Sequence, residues 1–92
     1  HVRETGNYFQ EQLQSLQSKF PQLITDVRGK GFMLAFSGEF DAQVLVHDAL
    51  KNGFIINAPQ TGIIRLLPPL IITQEEIDQL ISFLVSHFFS LQ

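Results

Sequence analysis

Ninety-two residues, 45 % of them hydrophobic and only 16 % charged, suffice for one small domain that buries roughly 60 to 65 % of its unfolded surface. A net charge of −3, with six Lys and Arg spread thinly, supplies no basic stripe for a phosphate backbone, and no apolar run reaches the ~18 residues of a membrane span, so neither nucleic acid nor a membrane is an expected partner. Without cysteine there is no disulfide framework and no thiolate, so the core alone must hold the fold, and a reducing, cytoplasmic setting fits.

The chain opens on helix-like sequence with neither a start methionine nor the apolar segment of a signal peptide, which reads as a piece of something larger or a processed chain. From Val2 to Phe20, Phe9, Leu13, Leu16 and Phe20 recur at spacings of four, three and four, while Gln10, Glu11, Gln14, Gln17 and Lys19 fill the other face. That pattern predicts an amphipathic helix, ended by Pro21. "LITDVRGKGFMLAFS" then gives two β-rich runs around Arg28-Gly29-Lys30-Gly31, whose glycines suit a tight hairpin.

Asp41 can cap a second helix running to about Asn52, with Val44, Leu45 and Ala49 inward and Gly53 as its stop. "FIINA" reads as a third strand, Pro59 and Gly62 bracket a turn, and "IIRLL" is a fourth strand ended by Pro68 and Pro69. Thr73 and Glu76 form a capping box ahead of Ile77, Leu80, Ile81, Leu84, Val85 and Phe88 at helical spacing. The resulting order, αββαββα, predicts an α+β two-layer sandwich, with helices packed on a small four-stranded sheet. Each hairpin should be antiparallel, and the crossover through the second helix should set the second and third strands parallel and right-handed if they share a sheet. Nine phenylalanines, two of them adjacent at Phe88 and Phe89, cannot all face inward, so some apolar surface belongs against something outside this chain.

Few residues carry an argument for chemistry. Arg28 to Gly31 lacks the spacing of a phosphate loop and is sufficiently explained as a hairpin turn. His1, His47 and His87 show no metal-ligand spacing, so no metal site is expected. Ser37 and Ser90 have no visible base partner. Lys19, Lys30 and Lys51 fall at helix ends or turns, too wet for a Schiff base. Arg65 stands apart. In a strand it shares a face with Ile63 and Leu67, opposite Ile64 and Leu66. A guanidinium there must reach solvent at a sheet edge or meet a carboxylate, because burying it unpaired costs several kcal/mol.

Taken together, "DVRGKGFML", "GFIINAP" and "IIRLLPPLIITQEEID" resemble the C-terminal small domain of class III pyridoxal-phosphate (PLP) aminotransferases, a fold-type I group, across nearly all 92 residues. "RLLPPL" followed at once by T-x-E-E-I-D is the specific part. The resemblance implies that residues 1–92 are one small domain, that the PLP-binding large domain lies N-terminal to it, and that the intact protein is a homodimer acting on amino-acid and 2-oxo-acid substrates. It implies that no catalytic or cofactor-binding residue is in this chain, which alone should be silent. It also implies a role for Arg65, the arginine of the R-x-x-P-P motif: binding a substrate carboxylate, or pairing with a large-domain glutamate when that carboxylate is absent. The alternative from another class is a regulatory, small-molecule-binding domain of the ACT type, whose βαββαβ order would start on a strand.

Overall fold

The computed structural model describes residues 2–30, 33–66 and 72–92. Its elements run α1 (Val2–Lys19), β1 (Ile24–Lys30), β2 (Met33–Gly38), α2 (Ala42–Lys51), β3 (Asn57–Gln60), β4 (Ile63–Leu66) and α3 (Gln74–Phe89). This is the expected αββαββα order, and it differs from the βαββαβ order of the regulatory alternative.

Each helix starts or stops where its sequence supplies the missing hydrogen-bond partner. At α2 the Asp41 carboxylate accepts from the amides of Gln43 and Val44 at 3.0 and 3.1 Å. At its far end Gly53, at φ +87°, lets its own amide reach Leu50 O and the amide of Phe54 reach Ala49 O. This paired closure satisfies the last carbonyls and needs a left-handed residue that glycine adopts at no steric cost. Thr73 and Glu76 complete a reciprocal capping box at α3, with bonds of 3.0 and 3.1 Å.

The sheet order is β1-β2-β4-β3, every neighbouring pair antiparallel. β2 and β3 therefore run in the same direction, as the crossover argument requires, but β4 is inserted between them. Two expected boundaries shift. The third strand begins at Asn57 rather than Phe54, because the Phe54 amide is spent on closing α2, and Ile55 projects into solvent at 90 % exposure. Pro59 sits inside β3, not in the turn, which an edge strand tolerates, since proline removes a donor that only the outer side would use. A register shift between Asn57 and Gln60 accompanies it. The turn is Thr61–Gly62, with Gly62 at φ +75°. In the first hairpin Arg28, Gly29 and Lys30, expected in the turn, belong to β1, and Gly31 lies outside the described residues, as does the expected strand stop at Pro68 and Pro69.

The helices cover one face of the sheet. Phe9, Leu13, Leu16 and Phe20 from α1, Leu34 and Phe36 from β2, Ile64 and Leu66 from β4, and Ile77, Leu80, Leu84 and Phe88 from α3 form the buried cluster. Phe88 is its hub, with ring centroids 5.9, 6.1 and 5.2 Å from those of Phe20, Phe36 and Phe40. Phe89, one residue on, is 70 % exposed. On α2, Ala42, Leu45 and Ala49 are buried, whereas Val44 is exposed. At 100° per residue the stripe set by 42, 45 and 49 leaves position 44 on the opposite side, so the expected inward Val44 is corrected.

Candidate functional site

The uncovered face of the sheet is built by alternation. In β4, Ile64 and Leu66 are buried, Ile63 is half-buried and Arg65 is exposed. Arg65 reaches water through this open face and not at an edge, because β4 is an interior strand held by β2 on one side and β3 on the other. The edge reading is thereby replaced. Leu67, the other residue expected on its face, lies outside the described residues. At the start of β4 the Gly38 amide donates to Gly62 O at 2.9 Å, and a side chain at Gly62 would meet Gly38 O at 2.8 Å. The close approach of these two glycines seats the strand against β2.

Register places a row of four residues straight across the sheet. Arg28 of β1 faces Ala35 of β2, Ala35 faces Arg65 of β4, and Arg65 faces Asn57 of β3. Directly opposed residues share a face, with Cβ atoms roughly 4.5 to 5.5 Å apart. The two arginines on this row differ electrostatically. Arg28 is matched by a carboxylate from its own strand, Asp26 Oδ2, 3.0 Å from its Nε. Arg65 has no carboxylate or hydrogen-bond partner among the described residues. It is a planar five-donor cation on a backbone anchored from both sides, directed away from the core.

Other polar contacts belong to the scaffold. His87, buried on α3, is 2.9 Å through Nδ1 from Asp48 Oδ2 of α2, and its ring lies edge-on to Phe88. The sequence suggested packing for this histidine but could not name a partner 39 positions away. His47 is exposed on α2. The Tyr8 hydroxyl donates to Asp78, joining α1 to α3. Lys19 and Lys51 are exposed at the last turns of α1 and α2. No group of His, Cys, Asp or Glu among the described residues has the clustering of a metal site. A cavity of about 500 Å³ on the helix side is lined mainly by apolar residues such as Phe9, Phe54, Ile56 and Leu80. Its one acid, Glu76, is committed to the α3 cap.

Comparison with known proteins agrees with this architecture. The acetylornithine aminotransferase of Aquifex aeolicus is 43 % identical over 84 residues, covering 91 % of this chain and 21 % of that protein. The crystal structure of acetylornithine aminotransferase from Elizabethkingia anophelis superposes with a TM-score of 0.85 at 30 % identity, covering 97 % of this chain and 24 % of the other. Ornithine aminotransferase from Plasmodium yoelii gives 0.87 at 28 % identity, covering 99 % and 25 %. The chain thus spans about one fifth of the length of the curated relatives it matches. The family described as "Aminotransferase class-III" matches residues 1–88, and the chain belongs to it.

Proposed function

We propose that residues 1–92 are the C-terminal small domain of an acetylornithine aminotransferase, a homodimer when intact, that moves an amino group from N-acetylornithine to 2-oxoglutarate in arginine biosynthesis. In this reading Arg65 binds a substrate carboxylate. The observation that carries it is the exposed, unmatched guanidinium on an interior strand of the open sheet face.

The chemistry suits arginine. Its fork can hold a carboxylate through two parallel charge-assisted hydrogen bonds, which fixes orientation as well as position, whereas lysine offers a point charge. With the strand secured by ladders on both sides, only the side-chain torsions remain to be ordered on binding. A substrate held this way presents its amine or keto carbon in one direction, the entropic part of catalysis. Class-III aminotransferases are PLP-dependent, and the cofactor when bound supplies the electron sink for amino transfer. Lys19 and Lys51, exposed at helix ends, do not fit its attachment, and in this reading an N-terminal large domain holds it. Arg65 contributes binding and orientation only.

The test uses the intact parent enzyme. Arg65→Ala should lower kcat/KM for the carboxylate-bearing substrate by about 2 to 5 kcal/mol, as for truncating one member of a desolvated charge pair. Arg65→Lys should recover part of that loss. An amine substrate lacking the carboxylate should be affected much less. Thermal melts should barely move, since an exposed surface change is usually worth within about 0.5 kcal/mol. Unchanged kinetics with a strongly lowered melting temperature would make Arg65 structural and defeat the assignment. Parallel assays with N-acetylornithine, ornithine, succinylornithine and 4-aminobutyrate decide among the substrate readings, with ornithine second in view of the Plasmodium yoelii likeness.

A further inference from the structure

Arg65 has two lateral neighbours on its row, and they are chemically unequal. Ala35 offers a methyl group. Asn57, exposed at the start of edge strand β3, offers an amide with one acceptor and two donors. Ser37, diagonal to Arg65 on β2, is roughly 7 to 8 Å away by register and has a short side chain.

We propose that Asn57 is a positioning and specificity-determining residue for the carboxylate site: it stands opposite Arg65 without a hydrogen bond to it in the structure, and when Arg65 holds a carboxylate its Oδ1 takes one guanidinium N–H while its Nδ2 donates to that carboxylate. The inference rests on the reading of Arg65 given above and extends it to a second residue. A five-donor guanidinium on an open face sweeps several rotamers, and binding a ligand then costs the entropy of choosing one. An acceptor one strand away that closes on the guanidinium as the ligand binds adds a hydrogen bond that offsets part of that cost. A neutral amide does so without competing with the substrate, as a carboxylate in its place would.

The backbone around Asn57 is arranged to hold it there. Ile56, at 9 % exposure, turns into the core immediately before it, which by alternation directs Asn57 outward. The ladder register then shifts between Asn57 and Gln60, across Pro59, so Asn57 is the point at which β3 is pinned opposite Arg65. Arg28 makes the contrast on the same row. Its orienting group is an acid, Asp26, at 3.0 Å, which already satisfies part of its charge. An orienting amide leaves the whole positive charge of Arg65 for an incoming anion.

The experiment measures kcat and KM separately in the intact aminotransferase that carries this domain, for Asn57→Ala, Asn57→Asp and Asn57→Gln, alone and combined with Arg65→Lys. Asn57→Ala should raise KM for the carboxylate-bearing substrate on the order of tenfold, the worth of one hydrogen bond to a charged group, with kcat changed much less. Asn57→Asp should raise KM further, because its carboxylate occupies the guanidinium. Asn57→Gln should restore part of the loss. On the Arg65→Lys background, Asn57→Ala should add little, since the fork it orients is gone. A substrate without that carboxylate should register none of these changes. If the Arg65 variants lower kcat/KM while Asn57→Ala and Asn57→Asp leave KM unchanged, the role of Asn57 is overturned and that of Arg65 stands. If Arg65→Ala itself has no kinetic effect, the reading of the site falls, and the proposal for Asn57 falls with it. Equal, additive losses in all substrates, together with a lowered melting temperature, would make Asn57 a structural residue and also overturn it.

Discussion

The two faces of the sheet are made from the same strands and do opposite work. On the covered face Leu34, Phe36, Ile64 and Leu66 are each 3 % exposed or less and meet the side chains of α1 and α3. On the open face Ala35 and Ile63 are half-buried, Arg65 is exposed, and Arg65 finds no countercharge among the described residues. A period of two thus divides β4 into residues that hold the fold and a residue that contributes little to it. Stability resides on one face, and the open face is available for chemistry supplied from elsewhere.

That division is most directly broken at its buried end. Phe88→Ala should cost about 3 to 5 kcal/mol, since it removes a ring at the centre of an aromatic cluster and leaves a cavity the surrounding elements cannot fill. Ile64→Ala should cost about 2 to 5 kcal/mol, against nearly nothing for Arg65→Ala one residue away. Urea titration of the 92-residue chain with each variant measures the contrast. A loss at Arg65 as large as that at Ile64 would show that the open face is structural too. Thr73→Ala should fall between these limits, at about 1 kcal/mol, because it breaks a capping box on the exterior without opening the core. Restoring an acceptor with Thr73→Ser should recover most of it, and a melt that fails to respond to either change would remove the cap from the account.

What the sequence made legible follows from the range of the interactions. The caps at Asp41 and Thr73, the stop at Gly53, the stripes of α1 and α3 and the placing of Ile64 and Leu66 opposite Arg65 are all decided within a few residues, and each is found as expected. The third strand was misplaced because "FIINA" is as β-prone as the strand that forms. Only the competing bond from Phe54 to Ala49 O, which depends on how α2 ends, decides the matter. Val44 is misplaced because the six apolar residues of α2 admit more than one stripe, and the sheet selects one. The site was legible in part. Arg65 was conspicuous as a charge among aliphatic residues, but its neighbours Ala35 and Asn57 depend on β4 pairing between β2 and β3, which no local pattern specifies. The same holds for Asp48 and His87, and for Tyr8 and Asp78, which meet only after the helices have packed.

The smallest expected effect lies outside both faces, at the Tyr8–Asp78 contact between α1 and α3, and it is read through pH. The hydrogen bond to the Asp78 carboxylate, with some desolvation and the nearby negative charge, raises the Tyr8 pKa above its ordinary value. The neutral phenol is the form the folded chain favours, because ionising it removes the donor and sets two anions side by side. The stabilisation is therefore fully present below the unfolded-state value of roughly 10 and is lost as pH rises from there through the raised folded-state value. Alkali acts on the whole chain, so the informative quantity is a difference. The melting temperature of the native chain should fall more steeply than that of Tyr8→Phe as pH rises above about 10, and Asp78→Asn should flatten the native slope in the same way. Tyr8→Phe keeps the ring against the helices and removes only the titrating group, so it isolates the phenol from the packing. Parallel slopes for the native and Tyr8→Phe chains would show that the contact does not persist in solution, leaving α1 and α3 joined by their buried apolar stripes alone.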